Sequence, residues 1–304
     1  MPNGNKIYYA SGWIESIAYQ YIEHYSEHTD KVFGINLYID DICKVHEQYP
    51  DKNIILVNLE HKAPIDQNGQ LNYCSKTWTD AYNKMTTDIV HEVWDFQIEN
   101  WEYYKFYGIE NKFRFKPLRY TTWFDKYKKD CDSTYELQME CVIDTNTRVK
   151  AINQLTTEPI ANINGVWHTL KDYISLNLTN TDNSDLKFKA KNECKYGIDF
   201  PHFDTPCTIN TTRIYEYVCM NKPVIVWDRD HISSKKYFGE LCTYLNDISA
   251  YNIKLLVLQE PRKDVDVTFK QMTYLEKDYD EYRLDILRDY KDRTGITVPD
   301  WVLS

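Results

Sequence analysis

Short runs of consecutive apolar residues alternate with stretches of helical spacing along residues 1–118. Lys6–Tyr9 predicts a first strand, followed by a turn at Ser11-Gly12. Apolar positions at Trp13, Ile14, Ile17, Ala18, Tyr21 and Ile22 then mark one face of a helix reaching Tyr25. Val32–Leu37 predicts a second strand and Asp40–Gln48 a short helix. Ile54, Ile55, Leu56 and Val57 stand in a row within Asn53–Leu59, the pattern of a strand buried on both faces. A helix near Thr79–Met85, a strand at Asp88–Trp94, a helix at Ile98–Tyr107 and a strand at Phe113–Phe115 follow. Helices between continuous apolar strands imply a parallel sheet covered on both sides.

Pro117 closes that series, and the charged stretch Thr121–Ser133 separates it from a second alternation. There the pattern predicts strands at Glu136–Ile143, Ala161–Val166, Cys194–Phe200, Pro223–Trp227 and, last, Ile253–Leu258. Helices are expected at Arg148–Leu155 and Thr212–Met220, with one or two polar helices over Lys270–Asp292. The fold class this implies is α/β, with two Rossmann-like domains facing a cleft. The expected divisions are a first domain at 1–118, a linker at 119–134, a second domain at 135–275 and a helical segment at 276–304. Ligands in such sheets lie at the carboxyl ends of the strands.

Composition narrows the function classes. The 304 residues are 42% hydrophobic and 27% charged, which suits packed domains and excludes a disordered chain. A net charge of −10 argues against a surface coated by nucleic acid, although a local basic track remains compatible with it. The eight cysteines form no CxxC or Cys/His cluster, so thiols in a reducing compartment are expected and zinc is not. No run approaches the ~20 apolar residues that span a bilayer, and no signal core follows Met1. The expectation is a cytoplasmic protein (host cytoplasm, if phage-encoded) without a membrane partner. Heavy use of Asn, Lys, Ile, Asp and Tyr is what AT-rich genomes such as those of many phages produce.

Two segments carry a family resemblance. Asp88-Ile-Val-His-Glu-Val-Trp-Asp95, continuing to Asn100, Gly108 and Lys116-Pro-Leu-Arg-Tyr120, resembles the close of the first domain in small GT-B glycosyltransferases. Ile54–Glu60 resembles the preceding strand of the same proteins. Cys194–Asp204, then Thr212-Arg-Ile-Tyr-Glu216 and Lys222-Pro-Val-Ile-Val226, is similar to their strand, loop, Arg-Ile-x-Glu helix and following strand. The resemblance covers about a third of the chain and implies transfer of a sugar from a nucleotide-diphosphate donor, UDP-linked by preference, to an acceptor hydroxyl. It implies that Glu216 binds the ribose hydroxyls. The second glutamate of retaining members is replaced by Thr208, which leaves the stereochemistry open.

The residue chemistry agrees with that donor. Thr211 and Thr212 stand where a helix begins, so N–H groups and hydroxyls can meet a diphosphate, and Arg213 adds a cationic fork. His202 and Asp204 lie on the preceding loop, suited to sugar hydroxyls, and Ser11-Gly12 permits close backbone approach. Glu60, His61 and Asp95 are candidates for taking the acceptor proton. The bland alternatives are turns, an Arg213–Glu216 ion pair and structural carboxylates. No cofactor or metal is expected to be needed beyond the donor. Asp228-Arg-Asp230 is a rival signal, the metal–diphosphate motif of GT-A enzymes.

Lys112–Lys129 interleaves basic residues with Phe113, Phe115, Tyr120, Trp123, Phe124 and Tyr127. Lys116, Arg119, Tyr120 and Trp123 are the candidate acceptor contacts, for a phosphate backbone and an extruded base. The favoured acceptor is a hydroxymethylated pyrimidine in phage DNA. A surface glycan or other saccharide, or a non-catalytic nucleotide-sugar-binding module, is the alternative.

Overall fold

The apolar runs become the inner strands of two sheets. In a computed structural model the chain forms two units, residues 1–121 with 275–304, and residues 122–274. The structure describes residues 6–304 apart from 10–13, 26, 29, 60–86, 129–132, 141–145, 180, 182, 201–210, 228–236 and 247–248. The helix near Thr79–Met85 falls outside them.

The first unit carries a parallel sheet of β1 (Ile7–Tyr9), β2 (Lys31–Ile35), β3 (Asn53–Asn58), β4 (Val90–Asp95) and β5 (Phe113–Phe115), hydrogen-bonded in that order. Its helices are α1 (Glu15–His24), α2 (Ile39–Gln48) and α3 (Trp101–Phe106). Successive strand residues point to opposite faces. Trp94 therefore meets Tyr21 of α1 and Tyr25 just after it at ring separations of 6.0 and 4.9 Å, while Asp95 meets Tyr104 of α3 on the other side. Coverage on both faces explains why Ile54 to Val57 are all buried.

The second unit carries a parallel sheet in the order β12-β11-β10-β6-β9. Its strands are β6 (Tyr135–Glu140), β9 (Leu176–Thr179), β10 (Cys194–Asp199), β11 (Val224–Trp227) and β12 (Cys242–Leu245). β7 (Pro159–Ile163) and β8 (Val166–Thr169) form a separate antiparallel hairpin. The helices are α4 (Asn146–Thr157), α5 (Ser184–Asn192), α6 (Thr211–Cys219), α7 (Ala250–Val257) and α8 (Val265–Thr273). The chain is thus α/β with two five-stranded parallel sheets.

The pattern did not predict β9, β12 or α5, and the structure departs from it elsewhere as well. Ile253–Leu258, expected as a strand, lies in and just after α7. Ser249 caps that helix by accepting from Asn252 N at 3.1 Å, and its buried residues Ala250, Ile253 and Val257 recur at helical spacing. A short apolar run reads equally well either way. Ala161–Val166 is not one strand, because Asn164 (φ 54°) and Gly165 (φ 82°) form a two-residue turn inside it. Such Asn-Gly turns match the twist of a hairpin. The C-terminal segment forms α9 (Glu276–Thr294), which buries Tyr279, Tyr282, Arg283, Ile286 and Tyr290 in the first unit. Tyr279 donates to Pro117 O at 2.7 Å.

Candidate functional site

Within the second unit the winding of the chain reverses between β6 and β10. β6 comes first in sequence; β9 is laid on one side of it, and β10, β11 and β12 on the other. Chains leaving adjacent strands in opposite directions open a crevice at the carboxyl ends, where ligands of such sheets bind. The residues ending those strands are Glu140 and Asp199.

Both are charged and paired. Lys187 and Lys191 lie one turn apart on α5, so their amines reach the same neighbours. Lys187 Nζ is 2.7 Å from Glu216 Oε1 and 3.6 Å from Glu140 Oε1; Lys191 Nζ is 2.7 Å from Glu216 Oε2 and 2.6 Å from Glu140 Oε2. Asp199 accepts from Arg213 Nη1 at 3.1 Å. Three carboxylates thus face three cations. Burial raises the Glu140 carboxyl, but Lys191, Lys187 and Arg213 outweigh it and hold the group at about 2. Burial lowers Lys187, and Glu216 with Glu140 reverses this and raises it above the ordinary amine range. A buried pair of this kind fixes geometry more than it adds net stability.

The floor under these charges is tightly built. Tyr217 of α6 lies on Gly197 of β10, so closely that a Cβ there would sit 2.7 Å from the ring. Its hydroxyl is 3.1 Å from Gln138 Oε1 and 3.3 Å from Gln138 O, and Gln138 Nε2 donates to Thr179 Oγ1 at 3.2 Å. Gly197 thus lets α6 descend onto the sheet beside the reversal.

Several candidate residues lie outside the described residues: Ser11, Gly12, Glu60, His61, His202, Asp204, Thr208 and Asp228 to Asp230. Of the donor set, Thr211 begins α6 and Thr212 and Arg213 lie in its first turn. Glu216 is buried in the second turn, with Ile214, Tyr215, Tyr217, Val218 and Cys219 buried around it. There the Glu216 carboxylate accepts from Lys187 and Lys191 of α5. α5 thus supplies two cations that the sequence pattern did not reveal.

Asp95 is also enclosed. It accepts from Asn58 Nδ2 (2.7 Å), Asn100 Nδ2 (2.8 Å), Tyr104 Oη (2.9 Å) and Gln97 N (2.8 Å), at 0% exposure. Burial pushes it up to about 6 against those four donors. As placed, it holds the end of β4 and the turn into α3.

The four acceptor candidates divide between the units. Arg119, buried, pairs with Glu276 at 2.6 Å and lies over the Tyr279 ring at 4.2 Å. Tyr120 is buried, its carbonyl 2.6 Å from His24 Nε2. The Lys116 amine lies 5.0 Å over Trp94; burial, with Arg283 and Lys31 nearby, lowers it to about 8. Trp123 belongs to the second unit, buried against Phe124, Tyr127 and Phe188. Of the aromatics between the basic residues, Phe113, Phe115, Tyr120, Trp123 and Phe124 are buried, while Tyr127 is half-buried and donates to Asp185 Oδ1 at 3.0 Å.

Glu140, Asp199, Lys187 and Lys191 were not singled out by the sequence. Asp199 sits inside a quoted motif as the last strand residue. The two lysines carry only an i, i+4 spacing, which solvated helices share.

No protein-family profile matches the chain, and no curated protein matches it. Among solved structures it is similar to a mutant T4 phage BGT in complex with UDP-glucose, at 10% identity and a TM-score of 0.38, over 96% of this chain and 83% of that one. It is also similar to a glycosylation-associate protein complex from Streptococcus agalactiae, at 9% identity and a TM-score of 0.35, over 93% of this chain and 56% of that one. Likenesses this distant do not bear on the chemistry. What the fold and site define is a class: a two-unit α/β chain with a charged, paired cluster where the second sheet reverses.

Proposed function

We propose that the chain is a glycosyltransferase that binds a nucleotide-diphosphate sugar at the carboxyl ends of β6 and β10 and passes the sugar to an acceptor hydroxyl. The observation that carries this reading is the reversal of strand order between β6 and β10, with Arg213 at its mouth. Arg213 holds Asp199 through one amino group, which orients the guanidinium for phosphate oxygens. The N–H groups that open α6 add positive potential where the leaving diphosphate gains charge. Glu216, with Lys187 and Lys191, fixes α6 beneath that point and acts as a positioning residue. The sequence resemblance to GT-B enzymes, over the segments that build β10, α6 and β11, supports the same donor.

For the acceptor, a saccharide hydroxyl fits the described surface better than DNA. Arg119, Tyr120 and Trp123, three of the four contacts expected for a modified pyrimidine, are built into the two cores. Transfer to hydroxymethylated DNA is the competing arm of the same assay.

Calorimetric titration with a panel of nucleotides and nucleotide sugars tests the donor site, on the parent chain and on Arg213→Gln. One diphosphate sugar is expected to bind, with an affinity loss of about tenfold or more in the variant, the worth of a charge-assisted phosphate contact. Melting curves separate that loss from unfolding. Turnover is expected to survive a chelator. If the folded protein binds no member of the panel, the glycosyltransferase reading fails; binding without transfer to any acceptor points to a non-catalytic module.

A further inference from the structure

Three carboxylates stand at the reversal of the second sheet, and they differ in what still reaches solvent. The side chains of Asp199 and Glu216 are 2% and 5% exposed, and that of Glu140 is 17% exposed. Strand alternation puts Glu140 on the face of β6 that carries Gln138, the residue under Tyr217. Its carboxylate therefore stands beside α6, one step nearer the carboxyl end of the sheet. The oxygens of these groups are not equally engaged. Glu216 has a lysine amine 2.7 Å from each of its oxygens. Glu140 Oε2 is enclosed, 2.6 Å from Lys191 Nζ, whereas Oε1 lies 3.6 Å from Lys187 Nζ, too far for a hydrogen bond. Oε1 thus keeps acceptor capacity that no described residue takes up.

Charge and geometry say what that oxygen can take. Against burial, Lys191, Lys187 and Arg213 keep Glu140 ionised, so it accepts hydrogen bonds and donates none. Its partner is a hydroxyl or an N–H, not a phosphate oxygen. The two amines beside it offset its charge, which lets it stand near a diphosphate held by Arg213. The hydroxyl-bearing group joined to that diphosphate on the nucleoside side is the ribose. In parallel sheets that bind dinucleotides, an acidic side chain near the phosphate site takes the ribose 2′-hydroxyl. We propose that Glu140 Oε1 accepts from the ribose 2′-hydroxyl of the donor nucleotide and so selects ribonucleotides over their 2′-deoxy forms. The inference rests on the nucleotide-sugar reading and moves the ribose contact from α6, where the sequence resemblance puts it, to the end of β6.

Calorimetry with UDP, GDP, ADP and CDP, each in its ribose and 2′-deoxy form, tests it on the full-length parent, Glu140→Gln and Glu140→Ala. In the parent the preferred diphosphate is expected to bind about tenfold or more tighter than its 2′-deoxy form, the worth of a hydrogen bond to a charged group. In both variants that ratio is expected to fall below about threefold, with the loss confined to the ribose form. A purely structural role would weaken the two forms equally and leave the ratio intact. Melting curves are recorded alongside, because either variant unbalances the lysines; where Glu140→Ala does not fold, Glu140→Gln decides. Equal binding of the two forms by the parent overturns the proposal and leaves the donor reading standing, as does a ratio that persists in folded Glu140→Gln. A ratio closed by Glu216→Gln but not by Glu140→Gln also overturns it and returns the ribose to α6. If no diphosphate binds the folded parent, both readings fail.

Discussion

Gly197 and Lys191 show what single residues control here. Gly197→Ala forces a methyl group toward the Tyr217 ring, at a distance no packed carbon tolerates, so either α6 or the ring must shift. Overpacking of this kind costs about 1–3 kcal/mol. Urea unfolding of the variant should show that loss, and donor affinity should fall with it because α6 carries Arg213. Lys191→Met leaves Glu140 and Glu216 sharing one buried amine, an imbalance that costs about 3–5 kcal/mol. The same cluster sets an acid dependence. Glu140 is held at about 2 against an ordinary 4.5, so in the folded chain it gives up its proton more readily and stays ionised to lower pH than in the unfolded chain. Its contribution is complete above about 4.5 and is lost as the pH falls toward about 2. Unfolding measured at about pH 5 and about pH 3 should therefore differ in the parent chain, and differ less in Lys191→Met.

At the scale of elements, the β7–β8 hairpin depends on its turn. Gly165 has φ 82° and Asn164 φ 54°, and a branched residue at 165 meets the steric cost of the left-handed region, about 1–2 kcal/mol. Gly165→Val is expected to speed hydrogen exchange in residues 159–169 while the amides of β6 and β10 stay protected. Equal protection across the hairpin would show that α4 and α7, rather than the turn, hold it in place. The helices divide by a different rule. α6 is buried from Ile214 to Cys219, α9 buries one stripe, and α5 buries two lysines among its apolar residues. The first two follow from counting apolar positions; the third needs the partners of the lysines.

For the whole molecule, the division into two units makes separate folding the natural expectation. Residues 122–274 contain a complete five-stranded sheet with its helices, so that fragment alone should unfold in one cooperative transition by heat or urea. Residues 1–121 without 275–304 should fail to do so. Removing α9 strips cover from Tyr25, Arg119 and Pro117, the surroundings of Tyr279, and takes away the partner of Glu99, Arg293 at 3.1 Å. A cooperative melt of that truncated piece would show that the C-terminal helix is dispensable.

The sequence by itself determined the α/β class and most strands of both sheets, because runs such as Ile54–Val57 and Val224–Trp227 are buried on both faces and admit no polar residue. It placed Arg213 at the start of a helix after a strand for the same reason. It did not determine the hairpin, where Asn164-Gly165 was legible as a turn but lay inside an apolar run, nor the helix at Ala250–Val257, since so short a run has no decisive period. Only the tertiary structure decided the site. Lys187 and Lys191 read as solvated until α5 brings them against Glu140 and Glu216. Phe113, Phe115, Tyr120, Trp123 and Phe124 likewise read as a platform until the cores close over them. Local pattern fixes which residues avoid water, but charge pairing joins segments distant in the chain, and no single segment carries that information.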